Sequence, residues 1–465
     1  MYINKANFGL FCRWGQLAAM VVGLLLGMGT AGAESTPLTF FATDRILVLA
    51  PHPDDEVIAC GGVIQEAVAL HLPVRVAFLT YGDNNEWSFA VYRKHLVLEP
   101  SALRAMGEIR HGEAVAAAQV LGLTSNDVVF LGYPDFGTLH IWREHWGDRP
   151  PFLSMLTRSR SVPYPDALRV GAPYKGEEVI QDLKTVLRQF RPTKVFVSHA
   201  ADHNPDHQAL YLFTRVALWD LAKEMTPDVM PYLVHYPAWP EPRGANPALS
   251  NSPPLTLAAA RWQSWELASP RVIVKMNALQ KHQTQFAYAS RYLESFVRRN
   301  ELFSDYAMPR ESPATGMATQ TEAVIAEPAK PQELTDEERA AFIGIERYRL
   351  YVSGDSLVTE IVFSRPMGRE VGVTIDLMGY RADRPFGDMP KISVRVGATH
   401  LEVFERGKEM ELTTVSVKRS MKELQVSVPL DVLGRPERVF AGAHSHLGMV
   451  PMAWTPWRVL GVPKE

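Results

Sequence analysis

One histidine and three carboxylates are crowded into five positions directly after an apolar run. The run is Ile46–Ala50, and the polar residues that follow it are His52, Asp54, Asp55 and Glu56. Burying four such groups at the end of a strand is costly unless a cation or water satisfies them. Histidine with aspartate is a ligand set for a divalent metal, and an additional carboxylate beside that metal is what a hydrolase needs as a base. The segment therefore predicts half of a zinc site.

A second cluster follows another apolar run. Lys194–Ser198 precedes His199 and then Asp-His-Asn-Pro-Asp-His at 202–207, which leads into a helical pattern. In an open α/β sheet, ligands bind beyond the carboxyl ends of the strands, where the strand order reverses. If the two runs are neighbouring strands, His52, Asp55 and His207 converge. Three protein ligands with an open position for water is the arrangement of a catalytic zinc site.

The elements that must position these residues alternate between strand and helix over 43–304. Apolar runs predict strands at 46–50, 74–80, 128–131, 194–198 and 232–236, and helical patterns lie at 55–70, 101–121, 177–190 and 205–223. This alternation implies a parallel sheet covered on both faces. We therefore predict a doubly wound, Rossmann-like, mostly parallel α/β domain. Two segments rich in Pro, Trp and Arg, 137–175 and 237–271, are predicted to be long insertions. Their tryptophans, Trp142, Trp146, Trp239 and Trp262, are predicted to pack against the loops, with stacking on a sugar as the alternative.

The pattern of predicted secondary structure changes after the predicted α/β domain. Residues 305–336 lack periodicity and predict a linker. Short strand patterns separated by turns follow at 347–352, 357–363, 371–377, 392–396, 401–404, 412–417 and 424–428. Such spacing is typical of a β-sandwich, which we place at 337–465.

The first 33 residues predict a signal peptide. Basic Lys5 and Arg13 precede a short apolar run, and Ala-Gly-Ala at 31–33 is a small-residue cleavage signature. We therefore expect export to the periplasm or the extracellular space and no stable membrane span after cleavage; an uncleaved anchor is the alternative. Only Cys60 would remain, so no intramolecular disulfide is expected. With 48 basic against 51 acidic residues, the balance gives no support for a nucleic-acid partner.

Several motifs together resemble the PIG-L (LmbE-like) zinc de-N-acetylase family. They are Pro-His-Pro-Asp-Asp-Glu at 51–56, Asn-Pro-Asp-His at 204–207, Arg110 with Glu113, Tyr-Pro-Asp at 133–135, and a Lys, Ala, His and Gln signature at 275–285. The resemblance covers 45–304 and excludes the predicted sandwich. It implies that acetyl groups are removed from N-acetylglucosamine units, with one Zn²⁺ or another divalent metal per chain. It also implies the strand order 3-2-1-4-5.

The resemblance assigns roles to individual residues of this chain. His52, Asp55 and His207 map onto metal ligands, and Asp54 maps onto the general base. Three further residues map onto family positions: Arg110 and Asp135 onto substrate contacts, and His282 onto the C-terminal signature as a catalytic candidate. A purely structural alternative exists for Asp54 and Asp55, because carboxylates are favoured in the first turn of any helix.

Asn204 departs from the family pattern, which often has histidine there to stabilise or protonate the tetrahedral intermediate. An asparagine amide can donate a hydrogen bond to an oxyanion, but it cannot deliver a proton. Asn204 followed by Pro205 is also an ideal helix cap, which is a purely structural explanation compatible with the first. Proton delivery would then fall to Asp54, His203 or His282.

The sequence thus predicts an exported zinc-dependent deacetylase whose partner is an N-acetylated sugar or glycan. Two alternatives stay open: a metal hydrolase for another N-acyl or ester substrate, and a glycan-binding protein with a degenerate enzyme domain. The last part of the chain, 424–460, is loosely similar to family-9-like carbohydrate-binding modules. A domain that only stabilises the enzyme is the alternative there. The sequence makes no prediction of the oligomeric state.

Overall fold

The computed structural model describes residues 35–84, 99–257, 260–305, 320–323, 334–368, 370–397, 399–411, 413–448 and 450–463. The predicted signal peptide and most of the predicted linker lie outside these residues. Within the described ranges, no helix combines the length and the apolar character that crossing a membrane requires.

An eight-stranded sheet forms the centre of the N-terminal part of the protein. Its strands are β1 (Ser35–Pro37), β2 (Ile46–Ala50), β3 (Val74–Thr80), β4 (Val128–Tyr133), β5 (Lys194–Ser198), β6 (Asp228–Tyr232), β7 (Arg261–Glu266) and β8 (Asn300–Asp305). The order is β1-β7-β8-β6-β5-β2-β3-β4, and the five strands from β6 to β4 are parallel. In chain order, the five predicted strands correspond to β2, β3, β4, β5 and β6. Their observed order, β4-β3-β2-β5-β6, confirms the predicted order 3-2-1-4-5.

Helices cover both faces of this sheet. They are α1 (Asp55–Ala69), α2 (Pro100–Val120), α3 (Thr138–Glu144), α4 (Gly176–Phe190), α5 (Pro205–Asp220), α6 (Ser269–Leu279) and α7 (Gln283–Leu293). Alternate residues of β2 enter two different cores: Ile46 and Val48 pack with α1, α2 and α6, whereas Leu47 and Leu49 pack with α4 and α5. Because both faces of β2 are buried, the strand is a continuous apolar run. The predicted doubly wound α/β architecture is confirmed.

The sheet extends beyond the predicted elements. The fifth parallel strand ends at Tyr232, not at the predicted 236. The chain leaves the sheet there because the backbone N–H groups of Val234 and His235 donate to the Asp202 carboxylate. The second predicted insertion contains β7, which pairs antiparallel with β8 and parallel with β1. These added strands have no short continuous apolar pattern of the kind that marked the central ones.

The C-terminal part is an antiparallel β-sandwich, as predicted. One sheet has the order β16-β17-β11-β10-β9 and the other β15-β14-β13-β12-β18-β19, with β20 paired to β18. The strands are β9 (Gln320–Ala323), β10 (Ile345–Ser353), β11 (Ser356–Phe363), β12 (Val371–Tyr380), β13 (Lys391–Val396), β14 (Leu401–Glu405), β15 (Lys408–Met410), β16 (Ser416–Arg419), β17 (Glu423–Pro429), β18 (Arg438–Leu447), β19 (Val450–Trp454) and β20 (Arg458–Gly461). A short helix, α8 (Asp336–Ala341), precedes β10. Strand β9 lies within the predicted linker, and its pairing with β10 makes it part of the sandwich.

One of the apolar cores contains residues of both parts. Trp142 of α3 is fully buried and stacks on Phe386 of the sandwich at 5.0 Å between ring centroids. The same indole meets the ring of Phe440 edge-on at 5.2 Å, and Trp219 of α5 lies 5.0 Å from Phe440. A salt bridge of 2.9 Å joins Arg143 to Asp376 beside these rings. The predicted packing role of the insertion tryptophans is confirmed, since Trp142, Trp146, Trp239 and Trp262 are all buried.

Because this core is shared, Trp142→Ala is expected to destabilise both parts together. Removing a fully buried tryptophan costs about 3–5 kcal/mol of unfolding free energy. Chemical denaturation followed by circular dichroism should show one transition that moves to lower denaturant. Trp265→Ala is the matched control, because Trp265 is only half-buried on β7 and contacts Phe40 instead. Two separate transitions, with the Trp142 variant moving neither, would contradict the shared core.

Candidate metal centre and active site

The first motif lies in a tight turn between β2 and α1. Residues 51–54 connect the end of the strand to the start of the helix, and Asp54 is the N-cap residue with φ 142° and ψ −29°. This positive φ is sterically unfavourable for a residue with a Cβ atom and is tolerated only where the surroundings enforce it. The Asp54 N–H donates to Glu56 Oε2 at 3.0 Å, which helps to hold this conformation.

The second motif lies in the equivalent place on the neighbouring strand. Strands β2 and β5 pair in parallel, so their carboxyl ends meet at the same edge of the sheet. Asn204 caps α5: its Oδ1 accepts a hydrogen bond from the Asp206 N–H at 2.8 Å, and Pro205 opens the helix. The predicted capping role of Asn204 is confirmed. His207 lies in the first turn of α5, facing the end of β2.

The three predicted metal ligands converge in a buried cluster. The ligand atoms of His52, Asp55 and His207 all lie within 4.8 Å of one another. Asp55 Oδ2 lies 3.3 Å from His52 Nδ1 and 3.1 Å from His207 Nε2. The two imidazole centroids are 5.3 Å apart. Two histidines and one carboxylate are the donor set of a catalytic divalent-metal site.

A second layer of carboxylates orients the two histidines. His52 Nε2 lies 3.1 Å from Asp135 Oδ1 and 3.2 Å from Asp206 Oδ2, and His207 Nδ1 lies 3.2 Å from Asp202 Oδ2. Asp206 also accepts from Phe136 N and from the backbone and hydroxyl of Thr138. Carboxylates in this position fix the ring orientation of metal-binding histidines and increase their basicity.

The electrostatics of the cluster favour a cation. Burial alone would lower the pKa of His207, but Asp202 and Asp55 outweigh it and raise the pKa to about 9. Burial likewise opposes and Asp135 favours protonation of His52, whose pKa rises well above its usual value. Burial would raise the pKa of Asp55, yet His207 and His52 hold it well below the usual range. A divalent metal would be stabilised by the same negative potential.

The residues present fit a metal on geometric grounds as well. Both ring nitrogens of His207 are buried, and although carboxylate oxygens of Asp55 and Asp202 lie 3.1 and 3.2 Å away, neither ion-pair contact has the geometry of a hydrogen bond. Leaving two such groups unsatisfied is costly, and a metal on Nε2 would relieve it on the side where Asp55 and His52 also point. The combination of hard carboxylate and imidazole donors suits Zn²⁺ and comparable divalent ions.

Asp54 lies beside the cluster on the wall of a cavity. Its Oδ2 is 3.9 Å from Arg110 Nη2. Burial and the adjacent Asp55 carboxylate raise the pKa of Asp54 to about 7, against the opposing charge of Arg110. The predicted base is thus placed next to, but outside, the three-residue ligand set.

Two predicted substrate contacts also line this cavity. Arg110 is 2% exposed and donates to the carbonyl oxygens of Gly82 and Pro53, each at 2.8 Å, so it braces the turn that carries Asp54. It does not pair with Glu113, whose carboxylate accepts from Thr284. Asp135 both lines the cavity and contacts His52. Their substrate roles remain predictions.

His282 lies behind the cluster. It is fully buried, is not among the residues that line the cavity, and its Nε2 is 2.8 Å from Glu56 Oε1. Glu56 also accepts from the Asp54 N–H, so the contact between His282 and Glu56 helps to hold the turn that carries Asp54. This position gives His282 a role in orienting Asp54; its catalytic role stays a prediction.

Some residues of the site were not singled out from the sequence. His235 follows β6, lies on the cavity wall, and has its Nδ1 3.4 Å from Asp202 Oδ1 and its ring 4.6 Å from that of His207. Asp202 and Asp206 belong to the second motif, but no local pattern distinguishes their orienting role from helix capping. Among the described residues, neither His199 nor His203 belongs to a group of side chains that could hold a metal ion.

Part of the α/β domain matches a known protein family. Residues 47–218 match the PIG-L family model, described as GlcNAc-PI de-N-acetylase. That range runs from β2 into α5 and includes both motifs of the cluster. The resemblance predicted from the motifs is confirmed for these residues.

A curated relative is the 1D-myo-inositol 2-acetamido-2-deoxy-alpha-D-glucopyranoside deacetylase 1 of Saccharopolyspora erythraea. It is 30% identical over 187 residues, which are 39% of this chain and 55% of that protein. The chain therefore spans about half the length of the curated relative it matches.

Solved structures with similarity include two deacetylases. The A40926 pseudoaglycone deacetylase Dbv21 has a TM-score of 0.36 and 17% identity, covering 56% of this chain and 96% of that one. The N,N'-diacetylchitobiose deacetylase from Pyrococcus horikoshii has a TM-score of 0.35 and 17% identity, covering 65% and 94%.

Proposed function

We propose that the protein is an exported, metal-dependent deacetylase that hydrolyses the N-acetyl group of an N-acetylglucosamine-type sugar in a glycan or glycoconjugate. The observation that carries the proposal is the buried cluster of His52, Asp55 and His207 with Asp54 beside it at a cavity wall. The match of residues 47–218 to a de-N-acetylase family supports the choice of substrate bond. Export is proposed from the N-terminal sequence pattern alone.

In this proposal His52, Asp55 and His207 hold one Zn²⁺ or a comparable divalent ion. When bound, such an ion polarises a carbonyl group and makes water a stronger acid. Asp135 and Asp206 fix the ring of His52, and Asp202 fixes that of His207, while His52 and Asp55 reach the cavity.

The protein's own groups would move the protons. Asp54 accepts a proton from the attacking water and returns it to the departing sugar amine, because its carboxylate lies at the cavity beside the ligand set. Arg110 keeps the turn that carries Asp54 in place through Pro53 and Gly82. Asn204 lines the cavity with its Oδ1 engaged in the helix cap, and its amide group can donate to the oxyanion of the tetrahedral intermediate.

The experiment that tests this function is a measurement of acetate released from N-acetylated sugars. Chelator-treated protein is assayed before and after Zn²⁺ is restored, alongside N-acyl amino acids and aryl esters. We expect acetate release from the sugars, loss of activity on metal removal and recovery with Zn²⁺. Turnover only of the acyl amino acids or esters would favour a different hydrolase. Glycan binding without turnover in metal-loaded protein would favour a degenerate enzyme domain.

A further inference from the structure

The cavity beside the metal cluster is walled on its far side by the C-terminal sandwich. Its lining includes His52, Asp54 and Asp55 on one side and His444 of β18 and Trp454 of β19 on the other. Its volume is about 1180 Å³. Pockets for single small molecules have volumes of roughly 300–1,000 Å³, so this cavity has room for more than one sugar residue.

The sandwich wall is fixed directly to the metal motif. The indole Nε1 of Trp457 donates to Gln208 Oε1 at 3.1 Å, and Gln208 follows the ligand His207 in the chain. The Trp457 backbone N–H donates to the carbonyl of Ala200 at 3.3 Å, in the turn after β5. Because these bonds lie on top of the shared core around Trp142, the wall cannot move away from the cluster without breaking buried contacts.

Trp454 is placed to contact a bound sugar. Its ring is half-buried, lines the cavity and packs against His203 at 4.9 Å between centroids. Because His203 immediately precedes Asn204, the Trp454 indole lies close to the start of α5. A rigid aromatic face of this kind suits the apolar face of a pyranose ring, because it offers a large contact area at little cost in conformational entropy.

His444 gives the same wall a polar group. Burial and then Arg143 lower the pKa of His444 to about 4, so its imidazole is neutral near pH 7. A neutral imidazole has one donor and one acceptor nitrogen, and both suit sugar hydroxyl groups. Trp454 and His444 therefore combine an apolar platform with adjacent hydrogen-bonding capacity.

We propose that β18 and β19 form a second sugar subsite continuous with the metal centre, with Trp454 as its platform and His444 as its polar contact. The substrate class is then an N-acetylated oligosaccharide of two or more residues, in which the sandwich holds the residue next to the one that is deacetylated. This inference rests on the proposed function. It makes the sandwich a wall of the active site, in contrast to a separate tethering module.

The test measures kcat/KM for acetate release from N-acetylglucosamine, N,N'-diacetylchitobiose and the corresponding trimer. Wild-type protein is expected to prefer the trimer over the monosaccharide by at least about tenfold, equivalent to about 1.4 kcal/mol. Trp454→Ala is expected to remove most of that preference, mainly through a higher KM for the trimer. Trp454→Phe, which keeps a ring, should restore part of it. Trp265→Ala, a half-buried tryptophan outside the cavity, should retain the wild-type ratio.

The outcomes separate the inference from the function on which it rests. Acetate release with no length preference, or with a preference that Trp454→Ala does not reduce, overturns the second subsite and leaves the deacetylase proposal standing. No acetate from any of the sugars in metal-loaded protein overturns the deacetylase proposal and the inference with it. Thermal unfolding shows whether each variant is folded. If Trp454→Ala is not folded, the length preference of Trp454→Phe decides whether the second subsite exists.

Discussion

Asp54→Asn should leave the protein folded and loaded with metal but lower kcat for acetate release by about 10²–10⁴-fold, the usual range for loss of a general base. Asparagine has nearly the volume of aspartate and keeps the backbone N–H that donates to Glu56, so the turn should persist. The three ligand side chains are unchanged. Only the ability to accept a proton is lost.

The measurement is a pair: steady-state kinetics and metal content per chain by elemental analysis. Asp148→Asn is the control, because the Asp148 side chain is 93% exposed and lies outside the cavity. Near wild-type turnover in the Asp54 variant would refute its role as the base. Loss of metal together with activity would instead make Asp54 a part of the ligand set.

His207→Ala is expected to lower metal content from about one ion per chain to well below one, and to lower turnover at least as far as Asp54→Asn does. The imidazole is fully buried between Asp55 and Asp202, and its removal leaves those carboxylates facing a void. His207→Gln, which fills more of the space, should lose metal while it retains more stability. Elemental analysis and thermal unfolding measure the two effects separately.

The matched control is His400→Ala, since His400 is exposed in the turn between β13 and β14. It should retain the metal content and turnover of the wild type. Unchanged metal stoichiometry in His207→Ala would show that the cluster is not the metal site. In that case the orienting roles of Asp202, Asp135 and Asp206 would also lose their basis.

The central part of the fold was predictable because its strands are buried on both faces. A strand such as β2 must be apolar at every position, so its pattern shows in the sequence without knowledge of its neighbours. The outer strands β1, β7 and β8 carry mixed patterns because tertiary pairing, not burial of both faces, holds them. Strand β9 falls in the predicted linker for the same reason, since it joins the sandwich through its pairing with β10.

The site was predictable where chemistry is concentrated in short motifs. Residues 52–56 and 202–207 each combine histidine with carboxylates shortly after a strand end, which is a local signal. His235 lacks such a signal, since it approaches His207 only because the chain turns away after β6 and is held by Asp202. The same limit applies to Trp454 and His444, which reach the cavity through contacts between elements that lie far apart in the chain.

The shared cavity also bears on the order in which the protein is made. Residues 52–56 and 204–207 are synthesised before β18 and β19, so in a growing chain both motifs are present while the opposite wall of the cavity is still missing. Until Trp457 bonds to Gln208, this wall of the cavity is missing and Trp142 has no partner in the sandwich. Completion of the polypeptide is therefore the last step in forming the substrate site, and chains cut short before β18 would carry the reactive groups without the surface that selects what reaches them.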